Sequence, residues 1–312
     1  MKIAILDKVH PIVEEELTKL GWQCDNLFEQ TREELLKIIH LYQGIILRSR
    51  IKIDKPFLEK ATSLKFIGRP GAGLENIDVD FCKEQNIQVF RSPEGNRDAV
   101  AEHALGMLLN LFNNINRADT EVRGSTWLRE ENRGVELKGK TIGIIGYGYM
   151  GKAFAQRLKG FDVTVLAYDK YISGFGNNEV QEVDLQTIFE KSNVVSLHTP
   201  LTEETNGMVD KNFLSQFKNP IYFINTARGK SVNTSALVDK IKTRDIVGVC
   251  LDVLEYESAT FMNLEPNDIP EPMQYLMESE RAILTPHIAG WTHEAKYKMG
   301  KYLVEKIIKE FT

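Results

Sequence analysis

Cysteine is scarce in this chain: there are three, Cys24, Cys82 and Cys250. They are odd in number, far apart and without metal-ligand spacing, which argues against a disulfide framework and a cysteine-held metal and for reduced, mostly buried thiols. Long apolar runs are missing too; none approaches the ~18 residues of a membrane span. Asp7 and Lys8 interrupt the apolar start too early for a secretory leader. Positive charge is in deficit, and a net charge of −5 offers no general attraction to nucleic acid or an anionic membrane. Any anion site must therefore be local. Repeats, low-complexity tracts and flexible linkers are absent. The expectation is a soluble, cytoplasmic protein without a metal, a nucleic-acid partner or a membrane partner.

What is present is an alternation of short apolar runs with helical spacing, the pattern of parallel sheets flanked by helices. Strands are expected at residues 2–6, 44–47, 64–67 and 87–90, then at 141–145, 163–168, 194–197, 221–225, 246–250 and 282–284. Helices are expected at 11–20, 79–85, 97–117, 152–159 and 291–309. Residues 255–280, rich in Pro, Glu and Asn, read as a long surface loop.

The most informative stretch is an apolar β-branched run ending in Gly146, followed by Gly148 and Gly151 and then a helix. Gly146 permits a tight turn, Gly148 a close backbone approach to a pyrophosphate, and Gly151 close packing of helix on strand. The helix N-terminus supplies unpaired N–H groups and a dipole that favours an anion. A second strand ends at Asp169, whose carboxylate suits ribose hydroxyls and repels a 2′-phosphate, so NAD is expected over NADP. Lys170 beside it tempers that repulsion. Because the fingerprint sits mid-chain, residues before about Asn96 belong to another domain. The fold class expected is α/β with two doubly wound parallel-sheet domains, one of Rossmann and one of flavodoxin-like type.

A nicotinamide needs a proton acceptor beside the hydride donor, a task suited to histidine. Of six histidines, His10, His40 and His293 lie in exposed-looking contexts, and His103 sits mid-helix where it packs or meets a subunit. His198 ends a strand, with nothing to mark it as a base. His287 follows the last strand, where ligands of open α/β sheets bind.

Gly71-Ala72-Gly73-Leu74-Glu75-Asn76-Ile77-Asp78, the glycine fingerprint, Asn225-Thr226-Ala227-Arg228-Gly229, Leu251-Asp252-Val253 and Thr285-Pro286-His287-Ile288-Ala289-Gly290 occur in that order. This series resembles the D-isomer-specific 2-hydroxyacid dehydrogenase family over essentially the whole chain. The resemblance implies a substrate domain of residues 1–96 and 291–312, an NAD-binding domain of 97–290, and a homodimer built around the helix 97–117 and the segment after it. It implies catalytic roles for Arg228, Glu257 and His287. Family members usually carry proline after that glutamate, whereas this chain has Ser258, so Glu255 and Glu265 stay open as alternatives. It further implies that Ala72, Tyr149, Met150, Thr199, Pro200, Thr226, Ala227, Arg228, Asp252, His287 and Gly290 line the cofactor, with Asp252 toward the nicotinamide.

Arg48, Arg50 and Arg69 fall at two expected strand ends beside the Gly71-Ala72-Gly73 turn, whose N–H groups suit a carboxylate and whose arginines suit a phosphate. Members of the family that act on D-3-phosphoglycerate hold the phosphate with arginines in segments similar to those of Arg48, Arg69 and Arg129, the last supplied by the neighbouring subunit. That resemblance implies D-3-phosphoglycerate as substrate, a place in serine biosynthesis and a short form without serine feedback. Alternatives are a glyoxylate or hydroxypyruvate reductase and, in another class, an NADH-sensing corepressor without catalysis.

Overall fold

Ile3 and Ile5 project to one side of the first strand and Ala4 and Leu6 to the other, and all four are buried. Strands apolar on both faces belong in sheets covered on both sides. The computed structural model describes residues 1–257 and 269–312 and divides into two units: Met1–Arg97 with Trp291–Thr312, and Asp98–Gly290.

In the first unit, β1 (Lys2–Ile5), β2 (Gln23–Asn26), β3 (Gly44–Ile46), β4 (Phe66–Arg69) and β5 (Gln88–Arg91) form a parallel sheet in the order β2-β1-β3-β4-β5. This is the flavodoxin-like order. One face packs Ala4, Leu35, Ile45, Phe57 and Ile67 together; the other packs Ile3, Ile5, Val13 and Phe66. The C-terminal helix, His293–Phe311, joins that second face through Leu303, Val304 and Ile307. Thr292 caps it by accepting from the Ala295 N–H at 3.0 Å.

The second unit holds β6 (Thr141–Ile145), β7 (Thr164–Tyr168), β8 (Gln181–Glu182), β9 (Val194–Leu197), β10 (Ile221–Asn225), β11 (Ile246–Leu251) and β12 (Ala282–Leu284). They run parallel in the order β12-β11-β10-β9-β6-β7-β8. The order reverses between β6 and β9, which creates the crevice where doubly wound sheets bind nucleotides. Ile142 and Ile144 face one core with Phe112 and Phe154; Val195, Phe223 and Val249 face the other.

Three expectations need revision. The helix 97–117 is two helices, Arg97–Phe112 and Ile115–Arg123, because Asn114 takes a left-handed φ of 52°. Asparagine adopts that conformation more readily than most side chains, and it ends the first helix. Residues 255–280 are not all loop, since Glu271–Glu278 is a helix that buries Met273 and Leu276. Neither β2 nor β8 is expected from the sequence pattern, because both are polar and nowhere fully buried. Among the described residues no helix is long and apolar enough to cross a membrane.

Candidate active site

The residues that follow the strands β6, β7, β9, β10, β11 and β12 of the second unit include most of those singled out there, Arg129 being an exception. After β6, Gly146 has φ 93°, and a Cβ on it would lie 2.8 Å from the His198 carbonyl. A Cβ on Gly151 would lie 2.1 Å from the Gly146 oxygen, so only glycine lets the helix Tyr149–Arg157 approach its strand. A Cβ on Gly148 would meet nothing within 4 Å, which leaves the loop's open face to a ligand. Tyr149 and Met150 begin that helix, whose first N–H groups have no partner within the helix and suit an anion.

Asp169 follows β7 and turns back onto the glycine loop. Its Oδ2 accepts from the Tyr147 N–H at 2.7 Å and its Oδ1 from the N–H groups of Tyr171 and Ile172, each at 2.9 Å. Lys170 does not offset this charge. It is ion-paired to Glu204, whose other oxygen accepts from the Tyr171 hydroxyl at 2.5 Å.

Thr199 and Pro200 follow β9, and the Pro200 carbonyl accepts from the Thr205 hydroxyl at 2.6 Å. Thr226, Ala227 and Arg228 follow β10. The Asn225 side chain holds this turn, accepting from the Ala227 N–H at 3.0 Å and donating to the Arg228 carbonyl at 2.9 Å. The hydroxyl oxygens of Thr199 and Thr226 are buried with no hydrogen-bond partner among the described residues. Unpaired buried polar atoms at a strand-end crevice fit a polar ligand such as a dinucleotide.

Asp252, after β11, is only 1% exposed. Its Oδ1 accepts from the Thr285 hydroxyl at 2.6 Å and the Ile288 N–H at 2.8 Å, and its Oδ2 from the Ala289 N–H at 2.9 Å. Its carbonyl accepts from the His287 N–H at 2.7 Å. The segment that ends in Gly290 is thus clamped from below, with His287 at a left-handed φ of 56°. Such a conformation costs of order 1–3 kcal/mol and persists only where its surroundings over-determine it.

His287 Nδ1 lies 3.2 and 3.3 Å from the two carboxylate oxygens of Glu257. Glu255 is engaged elsewhere, accepting from the Thr234 N–H at 2.7 Å at the start of the helix Thr234–Lys242. Glu265 lies outside the described residues. His198 pairs with the Ser196 hydroxyl at 2.9 Å, and burial lowers its pKa to about 3, so it stays neutral. The sequence offered no signal for His103, whose Nε2 stands 3.0 Å from the Thr285 hydroxyl and 3.6 Å from Asp252.

In the first unit, the Arg48 guanidinium lies over the Trp291 ring, 4.6 Å from its centroid, and burial lowers its pKa from the usual value. Arg69 Nε donates to the Arg48 carbonyl at 3.0 Å. The turn Gly71-Ala72-Gly73 is held where the Ser92 N–H donates to the Gly71 carbonyl at 3.0 Å and Arg91 to the Ala72 carbonyl at 3.1 Å. Arg50 departs from the anion-binding expectation: its guanidinium donates to the carbonyls of Leu6, Leu27 and Gln30 at 2.7–3.1 Å, so it ties loops together. Arg129, in the second unit, stands exposed after the helix Ile115–Arg123.

Residues 105–289, more than half of the chain, match the family model described as D-isomer specific 2-hydroxyacid dehydrogenase, NAD binding domain. The chain belongs to the D-isomer-specific 2-hydroxyacid dehydrogenase family. Within the family it is 33% identical over 310 residues to a D-3-phosphoglycerate dehydrogenase of Archaeoglobus fulgidus, covering 99% of this chain and 57% of that one. It is 35% identical over 279 residues to a hydroxypyruvate reductase of Thermotoga maritima, covering 89% and 88%. The structure of a D-lactate dehydrogenase from Aquifex aeolicus with NAD and lactic acid aligns at a TM-score of 0.82 and 28% identity, covering 100% and 95%. This dehydrogenase-family chain therefore spans little more than half of the A. fulgidus relative. Its cofactor is NAD.

Proposed function

We propose that the chain interconverts a D-2-hydroxy acid and its 2-keto acid with NAD, and that the substrate pair is D-3-phosphoglycerate and 3-phosphohydroxypyruvate. The observation that carries the reaction class is the His287–Glu257 pair on a clamped, left-handed backbone at the end of β12. The glycine loop, Asp169, Thr199 and Thr226 would hold NADH, which when bound would supply the hydride for C2 of the keto acid. His287 gives a proton to the C2 oxygen as the hydroxyl forms and takes it back in the oxidative direction. With Nδ1–H donated to Glu257, Nε2 is the exchanging atom, and the carboxylate fixes the tautomer and orientation of the ring. Arg228 has a planar fork suited to the substrate carboxylate and C2 oxygen.

The phosphorylated substrate is supported by Arg48, Arg69 and the nearby glycine turn, and by the A. fulgidus relative. Arg129 serves a neighbouring copy. Ile115, Val122, Trp127, Leu128 and Val135 are exposed on and after the helix that precedes Arg129, an apolar face that suits a homodimer. A reductase of unphosphorylated hydroxypyruvate or glyoxylate is the second reading, favoured by the T. maritima relative, which this chain spans at 88%.

The test is NADH oxidation with phosphohydroxypyruvate, hydroxypyruvate, glyoxylate and pyruvate, run for the native protein and Arg48→Ala. Preference for phosphohydroxypyruvate, lost in the variant through a raised KM, is expected. Equal or better use of hydroxypyruvate, unaffected by the variant, moves the assignment to the reductase. No turnover of any keto acid rejects the enzymatic reading.

A further inference from the structure

The clamp under His287 has an outer layer that the reaction scheme leaves without a task. Asp252 is a buried carboxylate, and such a group is tolerated only when its lone pairs are met by well-placed donors. Two donors are the backbone N–H groups of Ile288 and Ala289, and the third is the Thr285 hydroxyl. That hydroxyl has a single proton. The Met107 sulfur lies 3.8 Å away and the Asp252 oxygen 2.6 Å, so the proton goes to the carboxylate. The Thr285 oxygen is then an acceptor, and His103 Nε2, 3.0 Å away, is its donor. This assigns His103 a proton on Nε2 by the logic of the network. The imidazole edge also faces Asp252 Oδ1 at 3.6 Å.

We infer that His103 is a positioning residue for the His287 loop. It fixes the Thr285 hydroxyl, which holds Asp252 in the one orientation that engages both N–H groups after His287. His103 rides on the long helix Arg97–Phe112, whose Ala101, Ala104, Met107 and Leu108 are core residues, so the donor sits on a rigid support. Loss of the donor lets the Thr285 hydroxyl and the Asp252 carboxylate rotate, and the left-handed backbone at His287 loses part of what over-determines it. The consequence falls mainly on the chemical step, since the glycine loop that suits the pyrophosphate follows another strand.

This inference rests on the reaction proposed above. The experiment compares His103→Leu, which removes the donor, with His103→Gln, which keeps an N–H; Thr285→Val and Thr285→Ser form the same pair one link further on. His103→Leu and Thr285→Val are expected to lower kcat at least about fivefold, the scale of one lost hydrogen bond to a charged network, with the NADH Kd moving by less than about twofold. The Gln and Ser variants are expected to return to within about twofold of the native rate. A native kcat in His103→Leu overturns the inference, as does a Gln variant as impaired as Leu. The ¹⁵N resonances of the His287 ring, assigned with His287→Asn, are read in parallel. They are expected to shift in the Leu and Val variants and to return in Gln and Ser. If the native protein turns over no keto acid, the reaction proposal fails by itself, and an unmoved ring spectrum then rejects the inference independently.

Discussion

Glu257 and His287 lie thirty positions apart in sequence, yet the carboxylate places one oxygen 3.2 Å and the other 3.3 Å from the imidazole Nδ1. An acid–base group held this way is worth roughly 10²–10⁴-fold in rate. His287→Asn should lose that factor in kcat while NADH binding, followed by fluorescence quenching, stays as it is. Glu257→Gln should lose a smaller part, because a neutral amide still meets the ring but orients it less firmly than a carboxylate. Native turnover in His287→Asn removes this histidine from the mechanism.

Asp169 and Glu204 are expected to divide the work of cofactor choice: the Asp169 carboxylate would disfavour a 2′-phosphate, and Glu204 is paired with the lysine that would otherwise attract one. Asp169→Ala is expected to lose most of the preference for NADH over NADPH. Glu204→Gln is expected to lower the KM for NADPH by no more than about a few-fold, since an exposed ion pair is a weak interaction. If Glu204→Gln leaves the NADPH KM unchanged, Lys170 has no part in selectivity.

Arg50 is expected to be a stability residue. Its guanidinium satisfies three backbone carbonyls, and a hydrogen bond to a charged group is worth about 1.5–3 kcal/mol. Arg50→Leu should lower the urea midpoint measurably and leave the substrate KM within about twofold, the opposite of Arg48→Ala. A large KM effect without a stability change would return Arg50 to the anion-binding group.

His198 makes stability depend on pH in a defined direction. Its folded pKa is about 3 and its ordinary value 6.5, so between these the unfolded chain binds a proton that the folded chain refuses. Stability is intact above the ordinary value and falls as the pH drops through that window. At ~1.4 kcal/mol per pH unit, going from neutral pH to about 5 costs on the order of 2 kcal/mol. His198→Gln, which carries no proton to refuse, should flatten this dependence in urea titrations at the two pH values. An unchanged slope assigns it to other groups.

Much of the fold was legible because its signals are local. A β-branched run, three glycines at set spacings and a helix follow one another along the chain, and each glycine's task is a backbone requirement at its own position. The two-faced apolar strands likewise announce parallel sheets. Where local signals were ambiguous the reading slipped: β2 has no apolar pattern, and Asn114 breaks a helix whose side-chain periodicity runs on past it.

The side-chain partnerships were another matter. Only the family resemblance favours Glu257 over Glu255, and nothing in composition or spacing pairs Lys170 with Glu204, spends Arg50 on carbonyls, or joins His103 to Thr285 and Asp252. Each joins groups brought together by the way strands and helices pack, and partner choice there is set by distance, burial and the count of available donors. The residue types that chemistry requires, and the loops that carry them, are written along the chain; which of those residues meet was decided by the folding of the sheet.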